Sequence, residues 1–278
     1  MRLPQILLFA FATGFAQQPQ NPSPMVEHTR AHTRLAEETP PGRREKLDVG
    51  TLYLPEGLAA RPPLLLFFHG DAWIPEVAAA QNGVAAIGVQ AGAGSASYTK
   101  LFEDPHRFLR LLREAQTKAG FPFGRVILAA WSAGCGALRQ ILQTPEAYER
   151  VDAVACFDGI HADYVDGKPG PLESSLAAEN LQVWLQLGRD AVIGRKRFLV
   201  THSEVFPGTY ASTTETADYL LAQLGVSRHA VLEWGAMGMQ QLSEASSGEF
   251  LLLGFAGDSA PDHVDHLHSL PVFLQLLR

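Results

Sequence analysis

Along the chain, short runs in which every position is apolar alternate with longer stretches whose apolar residues recur every three or four positions. Leu64–Phe68 (LLLFF), Val84–Val89, Val126–Ala130, Val151–Phe157, Phe198–Thr201 and Phe250–Phe255 are runs of the first kind. They are too short for ordinary helices and lack a polar face, which predicts strands buried on both sides. Leu47–Leu54 predicts an earlier strand, closed by Pro55 and Gly57. Phe108, Leu111, Leu112 and Ala115 share one face of a helix that Gly120 ends. Leu138, Ile141 and Leu142 mark another, with Pro145 near its end, and Leu270–Leu277 an apolar last helix. Thr213 or Thr214 is placed to cap a further helix with Glu215 in its first turn. The Ser246-Ser247-Gly248 turn predicts an antiparallel hairpin between Met239–Leu242 and Phe250–Leu253.

Buried strands separated by amphipathic helices predict an α/β fold, a mainly parallel sheet with helices on both faces. In such a sheet functional groups collect at the carboxyl ends of the strands. The residues standing there are His69, Asp71, Ser132, Asp158 and Glu204.

With 46% hydrophobic and 18% charged residues, the 278-residue chain is globular in composition, and its length suits one domain. The net charge of −7, with basic residues scattered apart from Arg43, Arg44 and Lys46, argues against nucleic acid or an anionic membrane as partner. The first residues read differently from the rest. Met1-Arg2, the apolar run Leu3–Phe15 and the small residues Gly14 and Ala16 make 1–16 a signal-peptide pattern. Export to a periplasm or the medium, with cleavage after Ala16, is the expectation. Polar, Pro-rich 17–25 reads as a linker into a domain over 26–278, and no later segment reads as transmembrane. Cys135 and Cys156 both sit in apolar contexts and read as buried thiols.

Ala130-Trp131-Ser132-Ala133-Gly134 sits where an apolar strand meets an amphipathic helix. It resembles the G-x-S-x-G nucleophile elbow of the α/β-hydrolase superfamily, with Ala130 in place of the usual first glycine. A serine on so tight a turn is strained, so its neighbours two residues away must be small. The resemblance implies an esterase-like serine hydrolase that acts on a small-molecule ester and needs no cofactor or metal. The helix after the elbow points its free N–H groups towards the reacting atom, making the Ala133 amide one oxyanion donor. The second, by the same resemblance, comes from the His69-Gly70-Asp71-Ala72-Trp73 loop, at the amide of Asp71 or Ala72, with His69 bracing the loop.

The superfamily order places the general base last, which leaves His263, His266 and His268. His263-Val-Asp-His266-Leu267, followed by Pro271 and Phe273, is similar to an arrangement whose first histidine is catalytic, so His263 is preferred and His266 is the alternative. For the acid, Asp158 and Glu204 both end apolar strands; Asp158-Gly159 looks more like an active-site strand end and is chosen narrowly. Asp262 and Asp265 share the histidine's own loop and are disfavoured. Between 160 and 196 lies an insertion that the resemblance reads as a small cap, and Trp73, Trp131, Tyr164 and Phe206 are candidate pocket aromatics. Two other classes compete: a non-catalytic exported binding protein on the same fold, and a metal-dependent hydrolase using Asp262, His263, Asp265, His266 and His268. The spacing of that last cluster matches no helical zinc motif.

Overall fold

The computed structural model describes residues 31–168 and 174–277. The predicted signal peptide and linker, and Pro169, Gly170 and Pro171 of the insertion, lie outside them. The chain begins with β1 (Gly42–Lys46), β2 (Thr51–Pro55), β3 (Leu64–Phe68), α1 (Trp73–Asn82), β4 (Ala85–Val89), α2 (Ser95–Leu101) and α3 (Arg107–Ala119). It continues through β5 (Val126–Trp131), α4 (Cys135–Leu142), α5 (Pro145–Arg150), β6 (Ala153–Phe157), α6 (Gln182–Val192), β7 (Arg197–His202) and α7 (Thr213–Leu224). It closes with β8 (His229–Trp234), β9 (Gln240–Ser247), β10 (Phe250–Phe255), α8 (Ala260–His268) and α9 (Leu270–Phe273).

All ten strands form one sheet in the order β1-β2-β4-β3-β5-β6-β7-β10-β9-β8. The central run from β4 to β10 is parallel, and the outer pairs at each side are antiparallel. Alternate residues of one strand feed two cores. Leu64, Leu66 and Phe68 of β3 pack with Phe108, Leu138, Trp184 and Leu220 from α3, α4, α6 and α7. Leu65 and Phe67 pack with Ile74, Leu267, Leu270 and Phe273 from α1, α8 and α9. A strand covered on both faces must be apolar at every position, which is why these runs read so plainly as strands.

Several sequence expectations change. Leu47–Leu54 is not one strand: 47–50 forms the turn of the β1–β2 hairpin, closed by Leu47 N–H donating to the Gly50 carbonyl at 3.2 Å. Gly50 takes a φ of 80°, the left-handed conformation such a turn needs. The cap of α7 is Ser212, not Thr213 or Thr214; it forms a reciprocal capping box with Glu215. Pro145 opens α5 instead of closing α4, because a first-turn proline has no N–H to lose. The segment carrying His263 is helix α8, not a loop. Of the insertion, the part from 182 is α6, the crossover helix between β6 and β7, so only the stretch before it is additional to the sheet and its helices. The late hairpin stands as expected, with β9 and β10 paired across Gly248. Among the described residues no helix is long and apolar enough to cross a membrane.

Candidate active site

Three neighbouring parallel strands, β3, β5 and β6, end in residues with left-handed backbones: His69 at φ 72°, Ser132 at 50° and Asp158 at 46°. Such a conformation costs a non-glycine residue roughly 1–2 kcal/mol, so three side by side at one sheet edge point to a site held under constraint. The strain is held by close packing. A Cβ on Gly134 would overlap the Phe68 carbonyl oxygen and stand 2.7 Å from its carbon. A Cβ on Gly159 would stand 2.5 Å from the Ser132 carbonyl oxygen and 2.8 Å from its nitrogen. Glycine at these two places lets β3 and the turn after β6 close on the elbow from both sides. Ser132–Gly134 makes one tight turn and runs straight into α4.

Asp158 is buried, and four donors converge on its carboxylate. Oδ1 accepts from the Ser203 N–H at 2.9 Å and the Thr213 hydroxyl at 2.5 Å. Oδ2 accepts from the Ser203 hydroxyl at 2.7 Å and lies 2.6 Å from His263 Nδ1. Burial alone would raise the Asp158 pKa, but the charges of His266 and His263 and the hydrogen bonds from His263 and Thr213 outweigh it, holding the carboxyl well below its ordinary range. At neutral pH His266 is uncharged, so the His263 contact and the donor set keep Asp158 ionised. An ionised acceptor fixes the proton of His263 on Nδ1 and leaves Nε2 with a lone pair. The imidazole is held at the elbow by Trp131, whose indole N–H donates to the His263 carbonyl at 2.9 Å and whose ring centroid is 4.6 Å from it. His69 stacks on Trp131 as well, at 5.0 Å, and its Nδ1 lies 3.0 Å from the Tyr98 hydroxyl.

The alternative residues go elsewhere. Glu204 exchanges hydrogen bonds with the Gly257 backbone, donating its N–H at 2.8 Å and accepting at 3.3 Å, and burial raises its pKa. His266 is turned into the core, with Nδ1 2.7 Å from the Thr201 hydroxyl and its ring edge-on to Phe255. His268 packs against Trp73. A metal site on the late histidines would need them to converge, and they face three different partners. Of the carboxylates of that cluster, Asp262 completes the capping box of Ser259 at the start of α8 and Asp265 meets His32 at 2.7 Å and Arg34 at 3.5 Å; the ligand atoms of Asp262, Asp265 and His32 lie within 4.8 Å of one another. Asp71 opens the turn before α1, its carbonyl accepting from the Ile74 N–H at 3.2 Å. Both cysteines are buried free thiols, and burial beside Cys135 pushes the Cys156 thiol up.

A cavity of about 390 Å³ opens at Ser132 and Ala133. Its aromatic walls are Trp184 and Tyr210, not the four named from sequence. Trp73 and Trp131 pack on histidines, Tyr164 bonds Glu215 at 2.9 Å, and Phe206 is exposed. Three further residues belong to the site: Ser203 and His161, which carried no expectation, and Thr213, expected only as a helix cap. Ser203 and Thr213 stand just after β7 and at the start of α7, places a polar residue occupies for many reasons, so no local signal marks them.

Burial pushes His266 down to about 4, with Asp158 opposing and His263 adding. A histidine whose folded pKa lies below its unfolded value contributes stability that is whole above pH 6.5 and is lost as the pH falls towards 4. The loss is about 3 kcal/mol for this group, and His202, His161, His268 and His69, all depressed chiefly by burial, act in the same direction. Urea unfolding midpoints measured across that range should fall steadily, and His266→Gln should flatten part of the slope. A slope that the variant leaves untouched would refute the assignment.

Compared with known proteins, the chain matches no family model and no curated protein. Among solved structures it is similar to a poly(3-hydroxybutyrate) depolymerase from Bordetella parapertussis, at 13% identity and a TM-score of 0.48, over 81% of this chain and 83% of that one. It is also similar to an acetyl xylan esterase from Aspergillus awamori, at 14% and 0.47 over 80% and 93%. A third is carboxyl esterase 2 from Tuber melanosporum, at 12% and 0.48 over 91% and 89%. Likeness at this distance assigns no residue and no substrate. The fold rests on the chain's own sheet, a parallel core with helices on both faces whose strand β5 turns into α4 at Ser132, the strand-to-helix turn expected there.

Proposed function

We propose that this chain is a serine hydrolase that cleaves a carboxylic ester through an acyl-enzyme on Ser132. The observation that carries the reading is the 2.6 Å contact between buried Asp158 and His263, whose carbonyl is held by Trp131, the neighbour of the left-handed Ser132. His263 Nε2 takes the proton as Ser132 Oγ attacks the ester carbonyl. Asp158 keeps the imidazole in the required tautomer and stabilises it once charged. The negative oxygen is met by the amides of Ala133 and Asp71, helped by the N-terminal end of α4. His263 then protonates the leaving alcohol. Water, activated by the same histidine, cleaves the acyl-enzyme, so the cycle uses only the chain's own groups. We further propose that the protein works outside the cytoplasm, after loss of residues 1–16.

A fluorophosphonate probe tests the assignment directly. The expected result is a single adduct, mapped to the Ser132 peptide by mass spectrometry, with parallel loss of p-nitrophenyl acetate turnover. Folded protein that neither labels nor hydrolyses the ester would refute it, and the search would then turn to a binding role.

A further inference from the structure

The cavity beside Ser132 is not uniformly neutral. Arg139, in the last turn of α4 and half-buried, lines it together with Ser132 and Ala133. Arg44, Arg107 and Arg228 each meet a carboxylate within 3.0 Å, but among the described residues the Arg139 guanidinium has no hydrogen bond and no ion pair. A partly desolvated guanidinium without a partner is costly, and its planar fork matches a carboxylate in two parallel hydrogen bonds. We propose that Arg139 binds a carboxylate carried by the acyl part of the substrate, so that the preferred substrates are half-esters of short dicarboxylic acids. This rests on Ser132 being the nucleophile.

Geometry sets both the side and the reach. The leaving oxygen must face His263 to receive its proton, and His263 does not line this cavity, so the cavity holds what stays on the serine, the acyl group. Along the turn and helix, Arg139 lies roughly 10 Å beyond Ser132 at the helical rise. Its long side chain leans back towards the helix N-terminus, shortening that gap. The span suits an acyl chain of a few methylenes. Asp163 stands at the rim of the same cavity, and Glu149 and Glu179 line the adjoining cleft that Arg139 and Asn180 share. All three carboxylates are exposed and screened by water, and burial pushes the neighbouring His161 down, away from its charged form. At a net charge of −7 the whole protein repels anions, so the discrimination has to come from close contact.

The test compares p-nitrophenyl half-esters of glutaric, adipic and suberic acids with their neutral methyl diesters. The preference for half-ester over diester, taken as a ratio of kcat/KM, should fall about 10- to 100-fold in Arg139→Gln, the worth of a charge-assisted hydrogen-bonded pair. Arg139→Lys should restore part of it. Alongside, adipate titrated calorimetrically into Ser132→Ala should bind, and should cease to bind when Arg139→Gln is added. An unchanged ratio overturns the proposal, as does adipate that binds equally with and without Arg139. Wild type that turns over neither ester overturns the Ser132 assignment itself, which the adipate titration separates from failure of the anion site.

Discussion

Asp158→Asn should lower kcat by about four orders of magnitude while leaving the protein folded, the scale of loss when the acid of such a triad becomes an amide. The reason lies at one atom. Oδ2 of Asp158 faces His263 Nδ1 at 2.6 Å and holds the proton there. An asparagine that turns its NH2 to this position donates instead, which moves the histidine proton to Nε2 and removes the lone pair Ser132 needs. One that turns its carbonyl there keeps the tautomer but loses the charge that stabilises the imidazolium. Folding should survive because the amide oxygen can keep the Oδ1 place, where the Ser203 N–H donates, while the Ser203 and Thr213 hydroxyls rotate to suit. Glu204→Gln is the matched control, since among the described residues its carboxylate accepts from the Gly257 backbone alone, and it should leave turnover near wild type. Steady-state kinetics with p-nitrophenyl acetate separate the two. If Glu204→Gln were the crippled variant, the acid would be misassigned.

The choice between those two acids marks where the sequence stopped being informative. Both follow apolar strands, and nothing local distinguishes them. What separates them is the order of strands in the sheet: β6 lies directly beside β5, so Asp158 emerges next to the elbow, and Thr213 and Ser203 reach it from elements far along the chain. The buried strands were legible because burial on both faces removes every polar residue. The edge strands were not. β1 reads GRREK and has no apolar face, while β8 (HAVLEW) sets Ala230, Leu232 and Trp234 on one face that is left exposed at the edge of the sheet, so it is a short run with no buried side. Helix α1 was missed for a related reason: Ile74, Val77, Ala78 and Ala79 are all buried, so the segment shows little amphipathic contrast. In α8 the periodic positions are titratable residues, and a run of Asp and His reads as chemistry before it reads as helix. Arg139 was invisible for the opposite reason, since an arginine on an amphipathic helix is ordinary and only its place in the cavity gives it meaning.

Gly134→Ala should destabilise the protein by about 3 kcal/mol, the upper end of what over-packing costs, and lower kcat by about 100-fold. Its backbone, at φ −61° and ψ −25°, is one that alanine adopts freely, so the effect has to be steric. The new methyl would meet the backbone carbonyl of Phe68, the last residue of β3, which is paired with Val89 of β4 and Ala130 of β5, and would stand 3.0 Å from the His69 Cβ. That carbonyl cannot step aside without breaking the sheet, so the elbow must move, carrying Ser132 and the Ala133 amide away from His263. The other small position of the motif behaves differently. Ala130 already carries its methyl inside the core on β5, packed with no exposure at all. Restoring the family's usual residue there, Ala130→Gly, should cost about 1 kcal/mol in strand entropy and lost packing, with turnover retained. Denaturant unfolding and kinetics on the two variants read the asymmetry directly. A Gly134→Ala protein as stable and active as wild type would mean that the elbow is free to shift, and that the left-handed Ser132 is not held by the contact between β3 and the start of α4.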